Sequence, residues 1–234
     1  MEQRFKIDRL TKVRYNGIMW SQELTNSVAA TRVVAVVIIE DAAGAVPMAE
    51  ALAAGGVRHI ELTLRTDAAL AAISAITAAV PEMVVGAGTV LTAEQVHQAQ
   101  DAGAAFAVAP AFSLPVLAEA AKVGLPFAPG VATPTDIEAA WNAGCTVMKL
   151  FPAQPMGGPA YLKSVNAAYR HLGISFIPLG GVNQGNMNSW LEMPEVLAIG
   201  GSWLASPDLL KNRQWDTITE HAREAVRIAS GARS

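Results

Sequence analysis

The stretch GVRHIELTLRT, residues 56–66, alternates in a way that decides the fold. Ile60, Leu62 and Leu64 fall on one side of an extended chain; His59, Glu61, Thr63 and Arg65 fall on the other. A surface strand would turn that polar side to water. The surrounding chain is too apolar for a thin sheet with one wet face, since hydrophobic residues make up 52% of it and charged residues only 16%. A carboxylate in mid-strand, with a guanidinium four residues on along the same side, calls for a sheet packed on its outer face and polar on an enclosed inner one.

From Val33 onward the chain repeats one theme, a short β-rich run followed by an alanine-rich helical stretch. The strand candidates are 33–39, 57–64, 83–87, 105–109, 126–130, 145–151, 175–179 and 196–200. Gly55, Gly103, Gly124 and Gly144 stand where left-handed helix C-caps belong. Thr92 and Thr135 are candidate N-caps, the first with Gln95 in capping-box register. Eight strands alternating with helices predict a single α/β domain of the (β/α)8 barrel type, with an N-terminal helical lead-in. The competitor, an open doubly wound sheet, lacks a GxGxxG after the first strand and a composition break for a second domain. Residues 1–27 read as an extension and 28–234 as the barrel. In a barrel Ile60, Leu62 and Leu64 face helices, and Arg65 lies at the mouth. Residues 215–229 read as a terminal amphipathic helix.

A net charge of −3 over 234 residues gives no electrostatic ground for binding nucleic acid or an anionic membrane. One cysteine, Cys145, excludes an internal disulfide and a cysteine-based zinc site, and suits a reducing, cytoplasmic setting. No apolar run is long enough for a transmembrane helix. The opening fifteen residues, interrupted by Glu2 and Asp8, read as a frayed arm or an amphipathic lead-in rather than a secretory signal.

TVMKLFP, residues 146–152, places a lysine in mid-strand. Cys145, Val147 and Lys149 share one face, Thr146, Met148 and Leu150 the other. If Met148 and Leu150 pack on helices, Lys149 points inward. Burial disfavours the charged form of a lysine and leaves a nucleophilic amine, the condition for Schiff-base catalysis. The same burial suits a structural lysine paired with a carboxylate, and the strand alone leaves both readings open. Glu61 in the same interior favours catalysis, because one carboxylate beside a reactive amine can serve several proton transfers. Arg65 suits a bidentate grip on a substrate carboxylate, or a structural ion pair.

Two Gly-Gly pairs follow the last two strands, Gly180–Gly181 and Gly200–Gly201, the second followed by Ser202. In this fold such loops commonly make a phosphate site. Thr89, ending the third strand, brings a hydroxyl to the same end. His59, His97, His171 and His221 form no metal-ligand pattern, so no metal and no cofactor are expected. His59 lies toward the start of its strand, where core packing is the better reading. Cys145 reads as a small core residue.

The segments VRHIELTLRT, VVGAGTVL, VMKLFPAQ, LGGV and IGGSW resemble, in order, the signatures of the 2-keto-3-deoxy-6-phosphogluconate (KDPG) aldolase family, also called keto-hydroxyglutarate aldolases. The resemblance runs from about Val33 to about Glu224. It implies a class I, metal-independent aldolase yielding pyruvate and glyceraldehyde 3-phosphate, active also on 4-hydroxy-2-oxoglutarate, and a homotrimer. It makes Lys149 the Schiff-base lysine and Glu61 the proton-shuttling base. Arg65, Thr89 and Pro152 are assigned to the pyruvate carboxylate end, and Gly180, Gly181, Gly201 and Ser202 to phosphate. The chain departs from the family at Leu179, where Thr is usual, at Ala109–Pro110–Ala111, where Ser-Pro-Gly is usual, and at Gln154, where Glu is common. Two alternatives stand beside this reading. One is a Schiff-base enzyme acting mainly on a related 2-keto acid, by oxaloacetate decarboxylation or on the galactonate epimer. The other is a non-catalytic phospho-ligand-binding barrel.

Overall fold

A computed structural model describes residues 20–232. The lead-in expected over residues 1–15 lies outside the described residues. The first described helix, α1 (Gln22–Thr31), begins at Ser21, whose side chain accepts from the Leu24 N–H at 3.1 Å. It buries Leu24 and Val28 against the inner face of the sheet and crosses the 27/28 boundary drawn from the sequence.

The strands are β1 (Val33–Val37), β2 (His59–Thr63), β3 (Val84–Gly88), β4 (Phe106–Val108), β5 (Phe127–Ala128), β6 (Gly130–Val131), β7 (Val147–Leu150), β8 (Ser175–Pro178) and β9 (Ile199–Gly201). Between and after them run α2 (Ala45–Ala54), α3 (Ala69–Ala79), α4 (Ala93–Asp101), α5 (Leu114–Val123), α6 (Pro134–Asn142), α7 (Gly158–Asn166), α8 (Met187–Leu191), α9 (Pro207–Lys211) and α10 (Trp215–Gly231). Every strand pair is parallel, in the orders β5-β4-β3-β2-β1-β9 and β6-β7-β8. The chain is an α/β protein with a curled parallel sheet.

The expected fifth strand is divided at Pro129. Proline has no N–H to give a ladder, so residues 127–128 pair with β4 and residues 130–131 with β7. At the other edge Phe176 and Val196 form a single parallel bridge. There the Phe176 N–H donates to Glu195 O at 2.8 Å, and the Leu197 N–H to Phe176 O at 2.9 Å.

Two apolar clusters lie on the two faces of the sheet. The outer one holds Ile60, Leu62, Met148 and Leu150 beneath the helices, as the alternation requires. The inner one holds Val34, Phe106, Val108, Ala128, Val147, Ile177 and Leu179, with Trp20 from the N-terminal side. Cys145 departs from the expected face: it packs in the outer cluster. Strand β7 starts only at Val147, and the Cys145 N–H is bonded back to Ala140 O at 3.0 Å, so the alternation does not reach it.

Thr92 and Gln95 form the anticipated capping box on α4. On α6 the cap is Thr133, not Thr135: Pro134 takes the first helical position, and Thr133 and Asp136 cap each other reciprocally. Gly103, Gly124 and Gly144 have the expected positive φ, but after α2 the left-handed residue is Gly56 (φ 92°). Gly55 is glycine for closeness instead, since a Cβ there would lie 2.4 Å from the Ala222 Cβ on α10. Helix α10 buries Ile218, Ala222, Ala225 and Ala229, a stripe at helical spacing.

Candidate active site

Lys149 lies on β7 with its N–H donating to Pro129 O at 2.9 Å, and the Phe151 N–H donates to Val131 O at 3.1 Å, so the backbone is held at the reactive position and two residues beyond it. Strand β7 has β6 and β8 as neighbours, and β2 has β1 and β3. Lys149 and Glu61 therefore meet through the interior, not along a ladder. Lys149 Nζ donates to Glu61 Oε1 at 2.8 Å, with side chains only 7% and 3% exposed. Such a pair keeps its geometry because little of either side chain is exposed, while the low-dielectric surroundings strengthen the contact. Below it the inner cluster leaves only about 10 Å³ free between Trp20, Val28, Phe106 and their neighbours.

Above it opens a cavity of about 200 Å³ that gathers Glu61, Arg65, Thr89, Lys149, Gly180, Gly181 and Ser202. Arg65 is exposed and has no ion pair with a carboxylate among the described residues, so its guanidinium is available to an anionic ligand. Thr89 has φ 57°, an uncommon conformation for a β-branched residue, held where β3 ends. Its neighbours fix it: the Leu64 N–H donates to Gly88 O at 2.8 Å and the Val90 N–H to Val108 O at 3.2 Å.

Gly180 and Gly181 are both left-handed, at φ 89° and 77°. The ladder between β7 and β8 continues through them, the Ala153 N–H donating to Leu179 O and the Gln154 N–H to Gly180 O. Asn186 Nδ2 donates to Gly181 O at 2.9 Å and holds the turn from its far side. Two expected site residues do not reach the cavity wall. Pro152 does not line it, its Cα lying against Gly180, and Gly201 is buried, with the Trp203 indole filling the space a Cβ would need. Their neighbours Phe151 and Gly200 line the cavity instead.

Sequence reasoning did not single out Val36, Ile38, Phe151 or Val182 as lining residues. Phe151 was findable, because it lies two residues beyond Lys149 on the same face; its ring centroid is 5.7 Å from Nζ. Val36 and Ile38 carry no chemical signature, only the alternation of β1. A second cavity of about 240 Å³ lies around Asp41, Lys211 and Arg213. It is the larger, but it holds no buried reactive group.

His59 is fully buried at the start of β2, with Ser27 Oγ at 2.9 Å and Thr31 Oγ1 at 3.3 Å from its ring nitrogens. Burial lowers its pKa to about 4, so the ring is neutral and serves the junction of α1 with the sheet. Burial likewise pushes the Cys145 thiol up to about 12 and leaves it unreactive. No group of three or more His, Cys, Asp or Glu side chains placed to hold a metal occurs among the described residues. No helix among them is long and apolar enough to cross a membrane.

A buried lysine paired with a carboxylate, opening on a cavity with an available guanidinium and left-handed glycines, defines an amine-nucleophile enzyme. The chain belongs to the KDPG and KHG aldolase family, which matches it over residues 24–221. It is 40% identical over 207 residues to the KHG/KDPG aldolase of Escherichia coli strain K12, covering 88% of this chain and 96% of that one. Its fold is similar to the KDPG aldolase of Legionella pneumophila, whose structure holds pyruvate captured at low pH as a covalent carbinolamine intermediate. That match has a TM-score of 0.82 at 35% identity and covers 86% and 97% of the two chains. The KDPG aldolase of Zymomonas mobilis ZM4 with 3-phosphoglycerate matches with a TM-score of 0.79 at 39% identity, over 88% and 96%.

Proposed function

We propose that this chain is a class I aldolase cleaving KDPG to pyruvate and glyceraldehyde 3-phosphate, and 4-hydroxy-2-oxoglutarate to pyruvate and glyoxylate. The observation that carries the reading is the 2.8 Å contact between Lys149 Nζ and Glu61 Oε1 inside a cavity open at one end. Glu61 takes a proton from the Lys149 ammonium, and the free amine adds to the 2-keto carbon to give a carbinolamine. Glu61 returns that proton to the carbinolamine hydroxyl, which leaves as water, so that an iminium forms and Glu61 is a carboxylate again. Glu61 then takes the proton of the C4 hydroxyl as the C3–C4 bond breaks, the aldehyde departs, and the electron pair stays on the enamine. Protonation at C3 and hydrolysis release pyruvate and the free lysine.

Arg65 and Thr89, at the ends of their strands, hold the carboxylate, and Pro152 acts on that end through its neighbour Phe151, which lines the cavity. Gly180, Gly181 and Ser202 form the phosphate end, where backbone N–H groups approach an anion closely, and Gly201, set back from the wall, serves that loop by leaving room for the Trp203 indole. The Zymomonas relative with 3-phosphoglycerate and the Legionella relative with a pyruvate carbinolamine support these two ends. The reading includes one closed (β/α)8 barrel. The hydrogen bonds at Phe176 and around Pro129 support closure at both edges of the two sheets. A homotrimer and a cytoplasmic setting belong to the same proposal. The first rests on the family resemblance and on the exposed Leu91 and Leu114, and light scattering in solution tests it. The second rests on composition.

The test is reductive trapping. Pyruvate and borohydride should leave a reduced adduct on Lys149, read by mass on the digested peptide. Lys149→Met should abolish both adduct and cleavage. Cleavage by that variant at the wild-type rate would overturn the proposal.

A second reading is favoured by Leu179, an apolar side chain standing where the cavity meets the inner cluster. It makes a related 2-keto acid the chief substrate, and comparing turnover with and without the 6-phosphate decides.

A further inference from the structure

We infer that Gly88 is a positioning residue for the reaction, setting where the Glu61 carboxylate stands. The inference rests on the proposed Schiff-base chemistry and goes beyond it. Strand β3 turns two glycines, Gly86 and Gly88, toward the interior, and neither has a left-handed φ. The backbone there would accept alanine. What forbids a side chain is the neighbour. A Cβ on Gly88 would lie 2.2 Å from Glu61 Oε1, 2.6 Å from its Cγ and 2.7 Å from its Cδ. A Cβ on Gly86 would lie 2.2–2.5 Å from carbons of the Phe106 ring. The bare face of β3 thus holds two different occupants: the aromatic floor next to Gly86, and the reactive carboxylate next to Gly88.

The nature of the obstruction decides what a methyl group does at each place. All three atoms nearest the Gly88 position belong to the Glu61 side chain, which can rotate away without moving any backbone. Rotation takes Oε1 off Lys149 Nζ, now 2.8 Å away. Alanine at 88 therefore leaves the fold and moves the base. At Gly86 the obstruction is a buried ring wedged against Trp20, so alanine strains the floor without touching Glu61.

The experiment is a cycle of Gly88→Ala, Glu61→Asp and the double variant, with Gly86→Ala as the packing control. Each is assayed for kcat, KM, melting temperature and borohydride-trapped pyruvate on Lys149. A displacement of about 1 Å at a reacting group costs about a hundredfold in rate, so Gly88→Ala should lower kcat by about that factor with KM little changed. Its melting point should fall less than that of Gly86→Ala. In the Glu61→Asp background, where the shorter side chain leaves room, the same change should cost about threefold or less, because the two sites couple only through contact. Unchanged kcat in Gly88→Ala with adduct still formed overturns the inference alone. An equal loss in both backgrounds also overturns it, by showing a structural effect that does not act through Glu61. Absence of adduct on the folded wild-type enzyme overturns the Schiff-base reading and the inference with it.

Discussion

Trp20 and Phe106 lie with ring centroids 5.2 Å apart and planes tilted by 56°, closing the inner cluster below Lys149 and Glu61. The residue just ahead of α1 and the strand β4 thereby build the floor of a site whose reactive groups come from β2 and β7. The space left there, about 10 Å³, is at the limit of what one water requires. The reactive pair stands on a closely packed, largely apolar base.

Trp20→Ala should therefore cost about 3–5 kcal/mol of stability, the range for emptying a buried aromatic site. The buried Trp20 Nε1 has no hydrogen-bond partner among the described residues. Trp20→Phe, which keeps a ring and removes that N–H, should cost less than half as much. Urea unfolding of the two variants checks this, and equal losses would show that the ring is not what fills the floor.

Glu61→Gln keeps the shape of the side chain and removes its proton-accepting charge. A positioned general base contributes about 10²–10⁴-fold, and kcat should fall within that range while the protein stays folded. A loss of less than about tenfold would assign Glu61 to charge pairing only.

His59 sets a pH dependence of stability. Its pKa is lowered by burial from 6.5 to about 4 in the folded protein, so between those values the unfolded chain takes up a proton that the folded one refuses. The stabilisation is complete above about pH 6.5 and is lost as pH falls toward 4, by about 3 kcal/mol at most. Unfolding free energies at pH 7, 5.5 and 4.5 should fall more steeply for the wild type than for His59→Gln. Parallel slopes would remove His59 as the cause.

Leu179 packs where a Cβ on Gly200 would need to be, its Cγ 2.4 Å from that position. Leu179→Thr should open the wall there and offer a hydroxyl. The ratio of kcat/KM for KDPG over 4-hydroxy-2-oxoglutarate should rise about fivefold to tenfold, the value of about one hydrogen bond. An unchanged ratio would mean that position 179 does not meet the substrate.

How much of this was legible differs from residue to residue. Lys149 and Glu61 could be read because a charge in an apolar strand is anomalous within a window of seven residues. The cap at Thr133 was equally local: Pro134 marks the first helical position, and the reading misplaced the cap by two residues. Phe151 was implied by the alternation that gave Lys149. Gly55, Gly86 and Gly88 were not legible as what they are. Each is small because of an atom on another element, at Ala222, Phe106 or Glu61.

By itself the sequence determined the alternation of strands and helices, the apolar outer face and polar inner face of β2, and the residues fit for chemistry. Those depend on the periods of strand and helix and on capping, which act within about four residues. The tertiary structure decided that Lys149 and Glu61, 88 residues apart, meet at 2.8 Å, that Pro129 divides a strand, and that Cys145 faces outward. It also decided that a glycine on a third strand leaves the room in which the carboxylate stands. Strand order and register fix such distances, and they are set by packing across the whole sheet, which no single segment encodes.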